Sequence, residues 1–184
     1  METFIGQYDH ILSRQECNRL IELFESSSDL KEGECYNGDL GVHHDMKKSI
    51  EMNRSFDDNT EMSYIIGSRL KPIIDEYFKK YSLPLGSIAR CHVEPGYNIQ
   101  RYTDHTEGFK KWHCEDGGLT ICHRVLVWMI YLNDAQSGTD FYYYDSIKAK
   151  EGRCVIWPSS WTHTHRSTPN KGLKYVVTGW ISYF

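Results

Sequence analysis

The sequence lacks the features that mark several large classes of protein. None of its six cysteines forms a Cys-x-x-Cys pair, which argues against a zinc-ribbon or thioredoxin motif. The formal net charge of -4 provides no broad basic surface, so we expect no nucleic-acid partner. No apolar run approaches the length of a membrane span, and the N-terminal residues METFIGQYDH carry no signal-peptide pattern. We therefore expect a cytoplasmic protein with reduced thiols and no membrane partner.

The chain of 184 residues is long enough for one domain, and its N-terminal part, about residues 1–84, is predicted to be helical. A short strand is predicted over about Thr3–Tyr8. Ser13 followed by Glu16 is a capping-box pattern, and the apolar spacing that follows predicts a helix over about Arg14–Ser26.

A second helix is predicted to begin at Asn59 or Thr60 and to run through Phe78, with a kink at Pro72. The polar stretch Ser27–Asn59 between the helices is predicted to be a long loop with one or two short strands. A loop of that length in a compact domain is often a functional lid.

The second half of the chain, about residues 85–184, has the texture of a sheet. Aromatic residues concentrate there, and short β-like runs alternate with turn signals such as Pro95-Gly96. The fold class is therefore predicted as α+β, mostly β, with a double-stranded β-helix (jelly roll) core and the N-terminal helices packed on it. The predicted strands are Ser87–Val93, Asn98–Tyr102, Arg124–Leu132, Thr139–Tyr144, Arg153–Trp157 and Lys174–Tyr183.

Two segments carry residues of the kind that bind metal ions. His113 and Glu115 are two positions apart, so on a strand they would point to the same face, whereas Asp116 would point to the other. A second imidazole comes from His163 or His165, which strand parity places on one common face. Two histidines and one carboxylate form the facial triad of non-haem iron(II) oxygenases, which leaves coordination positions open.

A lone basic residue, Lys174, stands at the head of an apolar strand. A buried ammonium is costly unless an anion pairs with it, and a carboxylate-bearing ligand would be such a partner. The alternative is a strand-end lysine whose ammonium reaches solvent.

These pieces occur in the order found in a known family. Together they resemble the prolyl 4-hydroxylase-like branch of the 2-oxoglutarate/iron(II) dioxygenases, over about residues 88 to 184. The segments that carry the resemblance are Ile99–Tyr102, Trp112-His113-x-Glu115, Arg124–Asp134, Gly138-Thr139-x-Phe141, Gly152–Pro158, Trp161–Arg166 and Lys174-Tyr175.

The resemblance implies roles for individual residues. It implies iron ligands at His113, Glu115 and His165, although the family usually has Asp at the second position. It also implies that Lys174 and Tyr102 bind the distal carboxylate of 2-oxoglutarate. Beyond the resemblance, Thr178 lies on the strand face of Lys174 and is a further candidate for contact with the cosubstrate. Of the remaining residues near these motifs, Arg124 and Arg166 are predicted to lie at the surface and Trp180 to pack in the core.

The implied activity is hydroxylation of a C–H bond with iron(II), 2-oxoglutarate and dioxygen, releasing succinate and carbon dioxide. The favoured substrate is a prolyl residue of a peptide or protein, or else a free amino acid, and ascorbate is a possible reductant for the iron. One alternative is a cupin- or lectin-like jelly-roll binding module with a degenerate metal site. Another is a zinc hydrolase with the same ligands. Metal content and 2-oxoglutarate dependence would distinguish the three.

Overall fold

The computed structural model describes residues 2–36, 40–82 and 90–184. Two helices, α1 (Arg14–Glu25) and α2 (Glu61–Lys80), precede the longest strands. Helix α1 begins after the predicted capping box, and α2 continues past Pro72 as a single helix. No helix among these residues combines the length and apolar character needed to cross a membrane.

The strands are short in the first half of the chain and long in the second. In chain order they are β1 (Gly6–Tyr8), β2 (Lys31–Glu32), β3 (Cys35–Tyr36), β4 (Leu40–Gly41), β5 (Lys47–Lys48), β6 (Ile50–Ser55), β7 (Cys91–Tyr102), β8 (Gly108–Phe109), β9 (Arg124–Tyr131), β10 (Gly138–Phe141), β11 (Ile147–Lys148), β12 (Cys154–Pro158), β13 (His165–Ser167) and β14 (Lys174–Tyr183). Two 3-10 helices cover Phe56–Asp58 and Trp161–His163.

The strands form two facing antiparallel layers. The larger sheet has the order β1-β12-β9-β14-β7-β6-β2, and the smaller has the order β11-β10-β13. Two further pairs, β3-β4 and β5-β8, lie beside them. This arrangement confirms the predicted mostly-β jelly roll with N-terminal helices.

The larger sheet has a different apolar cluster on each face. On the outer face, helix residues such as Phe24, Ile66 and Leu70 pack against strand residues such as Ile99 and Val177. On the inner face, a smaller cluster is rich in aromatic rings and lies between the two sheets. It contains Tyr102, Val127, Tyr131, Phe141, Ile147, Ala149, Val155, Trp157 and Val176. The alternation of side chains along β9 and β14 serves both clusters, which is why these strands are almost continuously apolar.

The prediction of a long loop over Ser27–Asn59 is wrong in part. The described part of this stretch contains five strands and a 3-10 helix, and β6 is a six-residue member of the larger sheet. Its inward position is occupied by Glu51, which is buried beside Lys47 with an Nζ–Oε1 distance of 2.5 Å. Because two charged residues are buried as a pair, the apolar alternation that would predict a strand is absent from the sequence.

The predicted turn at Pro95-Gly96 is also wrong. Strand β7 runs through both residues without a break. The pairing of β7 with β14 shifts in register between Val93 and Tyr97, so the proline lies at an irregularity in the ladder. Proline is tolerated at such a bulge because its missing N–H breaks no regular pairing. Residues 87–89 of the predicted strand Ser87–Val93 lie outside the described residues.

Candidate metal and cosubstrate site

His113 and His165 lie side by side because their backbones pair. The His113 N–H donates to the His165 carbonyl at 3.0 Å, and the His165 N–H donates back at 2.9 Å. This is an isolated antiparallel bridge rather than the regular strand predicted around His113. It places the two imidazole ring centres 4.3 Å apart.

In both imidazoles, Nδ1 is hydrogen-bonded to a backbone carbonyl oxygen. His113 Nδ1 lies 3.0 Å from the Lys111 carbonyl oxygen, and His165 Nδ1 lies 3.0 Å from the His163 carbonyl oxygen. A carbonyl oxygen only accepts hydrogen bonds, so each Nδ1 carries the proton and each Nε2 keeps its lone pair. Both rings therefore present Nε2 as a metal-binding atom.

Glu115 completes the group with one carboxylate oxygen. Its Oε1 lies 3.3 Å from His113 Nε2 and 3.5 Å from His165 Nε2, and the three donor atoms all lie within 4.8 Å of one another. Burial by itself would raise the pKa of the Glu115 carboxyl. When the two imidazoles are protonated, their hydrogen bonds and positive charge outweigh burial and hold this pKa well below its ordinary value.

The other oxygen of Glu115 has its own partners. Trp180 Nε1 donates to Oε2 at 3.0 Å, and the Arg124 guanidinium lies 3.6 Å from the same oxygen. Arg124 also stacks on the Trp180 ring, 3.7 Å from its centre, and approaches Glu94 at 3.5 Å. The prediction of a surface Arg124 is therefore wrong, because Arg124 is half-buried against the carboxylate. Trp180 packs against the inner apolar cluster, as predicted, and also binds the carboxylate.

Aromatic rings surround the two histidines. The Phe109 ring stacks on His113 with the ring centres 3.6 Å apart. The edge of His165 meets Trp157 and Phe141 from the inner cluster. These rings exclude water from the imidazole faces and limit the rotation of both side chains.

His163 and Asp116, the alternative candidates for metal ligands, lie outside the three-residue group. His163 belongs to the 3-10 helix Trp161–His163, so strand parity, which would have placed it on the face of His165, does not apply. Its Nε2 lies 2.8 Å from the Thr3 carbonyl oxygen, and its ring stacks on Tyr144. Asp116 interacts instead with Cys114 and is not part of the three-residue group.

Lys174 and Tyr102 are buried next to each other on the larger sheet. They are register partners on β14 and β7, and the ammonium lies 4.8 Å from the centre of the Tyr102 ring. Lys174 is 2% exposed and has no carboxylate partner among the described residues. Burial lowers the pKa of Lys174 from 10.5 to about 8. The ammonium does not reach solvent, so the snorkelling alternative is wrong.

Three hydroxyl groups lie on this inward face. The Tyr102 hydroxyl donates to Gln100 Oε1 at 2.6 Å, and burial, followed by the charge of Glu51, raises the pKa of Tyr102 well above its ordinary value. The Thr178 hydroxyl donates to the Trp128 carbonyl at 3.1 Å. The third hydroxyl belongs to Tyr131 on β9, which pairs with Val176. Tyr131 was not among the predicted site residues, although the alternation of side chains along β9 could have indicated that it points inward.

Comparisons with known proteins find similarity in the second half of the chain and in the fold. A model described as the 2OG-Fe(II) oxygenase superfamily matches residues 97–182, which include the three metal-site residues and Lys174. This part of the chain is therefore similar to the 2OG-Fe(II) oxygenase superfamily. A comparison with curated protein sequences finds no match.

Solved structures of prolyl hydroxylases share the fold of this chain. A Trichoplax adhaerens prolyl hydroxylase in complex with a hypoxia-inducible-factor peptide fragment has a TM-score of 0.72 at 14% identity, covering 98% of this chain and 84% of that chain. A Pseudomonas putida prolyl-4-hydroxylase has a TM-score of 0.70 at 13% identity, covering 98% and 92%. The viral collagen prolyl hydroxylase of Paramecium Bursaria Chlorella virus-1, in its 2OG complex, has a TM-score of 0.63 at 17% identity, covering 98% and 97%.

The residues of this site fit the groups that the 2OG-Fe(II) oxygenase superfamily is named for. Two imidazole nitrogens and one carboxylate oxygen are a donor set typical of iron(II) in oxygenases, and they leave coordination positions free. A buried ammonium with no carboxylate partner among the described residues suits the distal carboxylate of 2-oxoglutarate. Both observations concern donor chemistry in this structure and do not depend on the comparisons.

Replacing Trp180 with Phe should weaken metal binding while the fold is kept. The substitution keeps most of the ring on which Arg124 stacks but removes the N–H that holds Glu115 Oε2. Loss of such an outer partner typically costs ten- to a hundredfold in metal affinity, and we expect about tenfold here. Manganese(II) titration followed by calorimetry measures this change. Trp161→Phe is the matched control because Trp161 is 68% exposed; equal affinities for the two variants would contradict the role of Trp180.

Proposed function

We propose that this protein hydroxylates a C–H bond of a prolyl residue in a peptide or protein, with oxidation of 2-oxoglutarate to succinate and carbon dioxide. The observation that carries the proposal is the grouping of His113, Glu115 and His165 around one point, together with a buried Lys174 ammonium that has no carboxylate partner among the described residues. A binding module with a degenerate site would not require the complete set. A zinc hydrolase would not require the buried lysine.

In this reaction the protein's own residues would bind and orient the metal and the cosubstrate and shield them from water. His113, Glu115 and His165 would hold iron(II) through one atom each, and Trp180 and Arg124 bind the second Glu115 oxygen, which would leave Oε1 for the metal. Lys174, with Tyr102, would fix one end of 2-oxoglutarate by a charge-assisted hydrogen bond. When bound, iron(II) and 2-oxoglutarate supply the activation of dioxygen, and the protein supplies orientation and a dry pocket. Ascorbate would act from solution to keep the iron reduced.

An extended peptide suits the surface beside the metal residues. Trp112 and Tyr142 are exposed and meet edge to face with ring centres 5.2 Å apart, and Arg166 lies over Trp112. Trp112 precedes His113 and Arg166 follows His165, so this aromatic surface adjoins the metal site. Exposed aromatic side chains are the usual contacts of proline-rich segments. Two of the structural relatives are prolyl hydroxylases whose names refer to collagen or to a peptide complex, which further supports a peptide substrate.

Replacing His113 or Glu115 with Ala should abolish succinate formation coupled to peptide hydroxylation. Each substitution removes one of three metal-binding atoms, and two remaining protein ligands cannot retain iron(II) at working concentrations. Proline-containing peptides are incubated with iron(II) and 2-oxoglutarate, and mass spectrometry detects the gain of one oxygen atom. His105→Ala is the control because His105 is exposed and is not part of the metal-site group. Near-normal turnover in the His113 or Glu115 variant would overturn the ligand assignment. Hydroxylation of free proline alone would replace the peptide by an amino-acid substrate.

A further inference from the structure

Gln100 is a buried amide beside the proposed cosubstrate pocket. It lies on the inward face of β7, two residues before Tyr102, and is 6% exposed. Its Oε1 accepts the hydrogen bond of the Tyr102 hydroxyl. Within the described parts of the chain, its Nε2 has no protein acceptor and is not one of the fully buried nitrogens without a partner, so Nε2 keeps some access to open space. An amide with an unused donor next to a proposed ligand-binding residue is available to a ligand or to a second arrangement of its neighbours.

The carboxylate opposite Gln100 does not capture this donor. Glu51 faces Gln100 across the pairing of β6 with β7. Its Oε1 is bound by the Lys47 ammonium and by the Ser49 hydroxyl at 2.8 Å. The charge of Glu51 is therefore already balanced, and the Gln100 amide can turn without leaving a buried charge unpaired.

The present direction of the Tyr102 hydrogen bond conflicts with anion binding. A tyrosine hydroxyl carries one proton, and Tyr102 donates it to Gln100. A carboxylate beside Lys174 can only accept hydrogen bonds, so Tyr102 must redirect its proton to contact it. The Gln100 oxygen would then lose its donor. A half-turn of the Gln100 amide exchanges Oε1 for Nε2 with almost no change of shape, and Nε2 can donate to the Tyr102 oxygen.

We propose that Gln100 is a positioning residue that switches the direction of the Tyr102 hydrogen bond when the distal carboxylate of 2-oxoglutarate binds. In the ligand-free arrangement, Gln100 accepts from Tyr102. In the bound arrangement, Gln100 Nε2 donates to Tyr102, and the Tyr102 proton points to the carboxylate held by Lys174. The inference rests on the proposed function, because it requires 2-oxoglutarate to bind at Lys174.

A double-mutant cycle tests whether Gln100 acts through Tyr102. Gln100→Met keeps the length of the side chain and removes both hydrogen-bonding groups. We expect the variant to bind 2-oxoglutarate about three- to tenfold more weakly, the range of one ordinary hydrogen bond. Tyr102→Phe should weaken binding about tenfold, and the double variant should bind no more weakly than Tyr102→Phe alone. Dissociation constants are measured by calorimetry on manganese(II)-loaded protein, and thermal unfolding of each metal-free variant verifies folding.

Pyruvate distinguishes positioning from a general structural effect. It has the 2-oxo acid group but no distal carboxylate, so its dissociation constant should be the same in wild type and Gln100→Met. Equal weakening of pyruvate and 2-oxoglutarate, or losses that multiply in the double variant, would overturn the inference. A wild-type protein that binds metal but not 2-oxoglutarate would instead overturn the proposed function, so the two failures are distinguishable.

Discussion

Replacing Lys174 with Met is expected to weaken 2-oxoglutarate binding by about a hundredfold and, at the same time, to stabilise the ligand-free protein. The two effects have one cause, which is the burial of an ammonium group without a carboxylate partner among the described residues. Methionine fills a similar volume without a charge, so the ligand-free fold loses a desolvation cost. The cosubstrate loses a charge-assisted hydrogen bond in a dry site, for which about 3 kcal/mol corresponds to a hundredfold.

The stabilisation should depend on pH in a defined direction. The pKa of Lys174 is 10.5 in the unfolded chain and about 8 in the folded protein. Below pH 8 the lysine is protonated in both states, and the full cost of burial is present. Between pH 8 and 10.5 only the unfolded state holds this proton, so stability rises with pH in wild type. The total change is about 3 kcal/mol, from 1.36 kcal/mol per pKa unit.

Denaturant unfolding of the metal-free protein at several pH values measures this difference. The stability advantage of Lys174→Met over wild type should be largest below pH 8 and should shrink towards pH 10.5. Lys71→Met is the control, because the Lys71 side chain is 77% exposed and pairs only with Asp75 on the same helix. A Lys174 variant that binds 2-oxoglutarate like wild type would place the distal carboxylate elsewhere.

Replacing His165 with Ala is expected to abolish the visible charge-transfer band that forms when iron(II) and 2-oxoglutarate are added without oxygen. Replacing His163 with Ala should leave the band. His165 directs Nε2 at the point shared with His113 and Glu115, whereas His163 bonds to the Thr3 carbonyl and stacks on Tyr144. The experiment needs no knowledge of the substrate and compares two histidines only two residues apart.

Thermal unfolding provides the control for this pair. His163→Ala should lower the free energy of unfolding by about 1–2 kcal/mol, because it leaves buried polar groups without their partner. A band that disappears in His163→Ala while the protein remains folded would reverse the assignment of the second histidine. A band that persists in His165→Ala would do the same.

The regular elements were predictable where the local pattern and the tertiary environment agree. Helix α1 follows its capping box, and β14 covers the predicted range Lys174–Tyr183. The predictions failed where a buried polar group replaced the apolar alternation, as at Glu51 in β6, and where a bulge accommodated Pro95 inside β7. Local patterns record average environments and do not record such exceptions.

The candidate site also has features that the sequence predicted and features that only the structure revealed. The sequence alone predicted the jelly roll from its strand and turn pattern, and its resemblance to a known family implied His113, Glu115 and Lys174 as candidates. Only the tertiary structure decided that His163 turns away, that Arg124 and Trp180 hold Glu115, and that Gln100 lies beside Tyr102. The reason is physical: residue type and spacing limit which atoms can bind a ligand. Burial and hydrogen-bond direction depend on neighbours that are distant in the chain and come together only when the sheets pack.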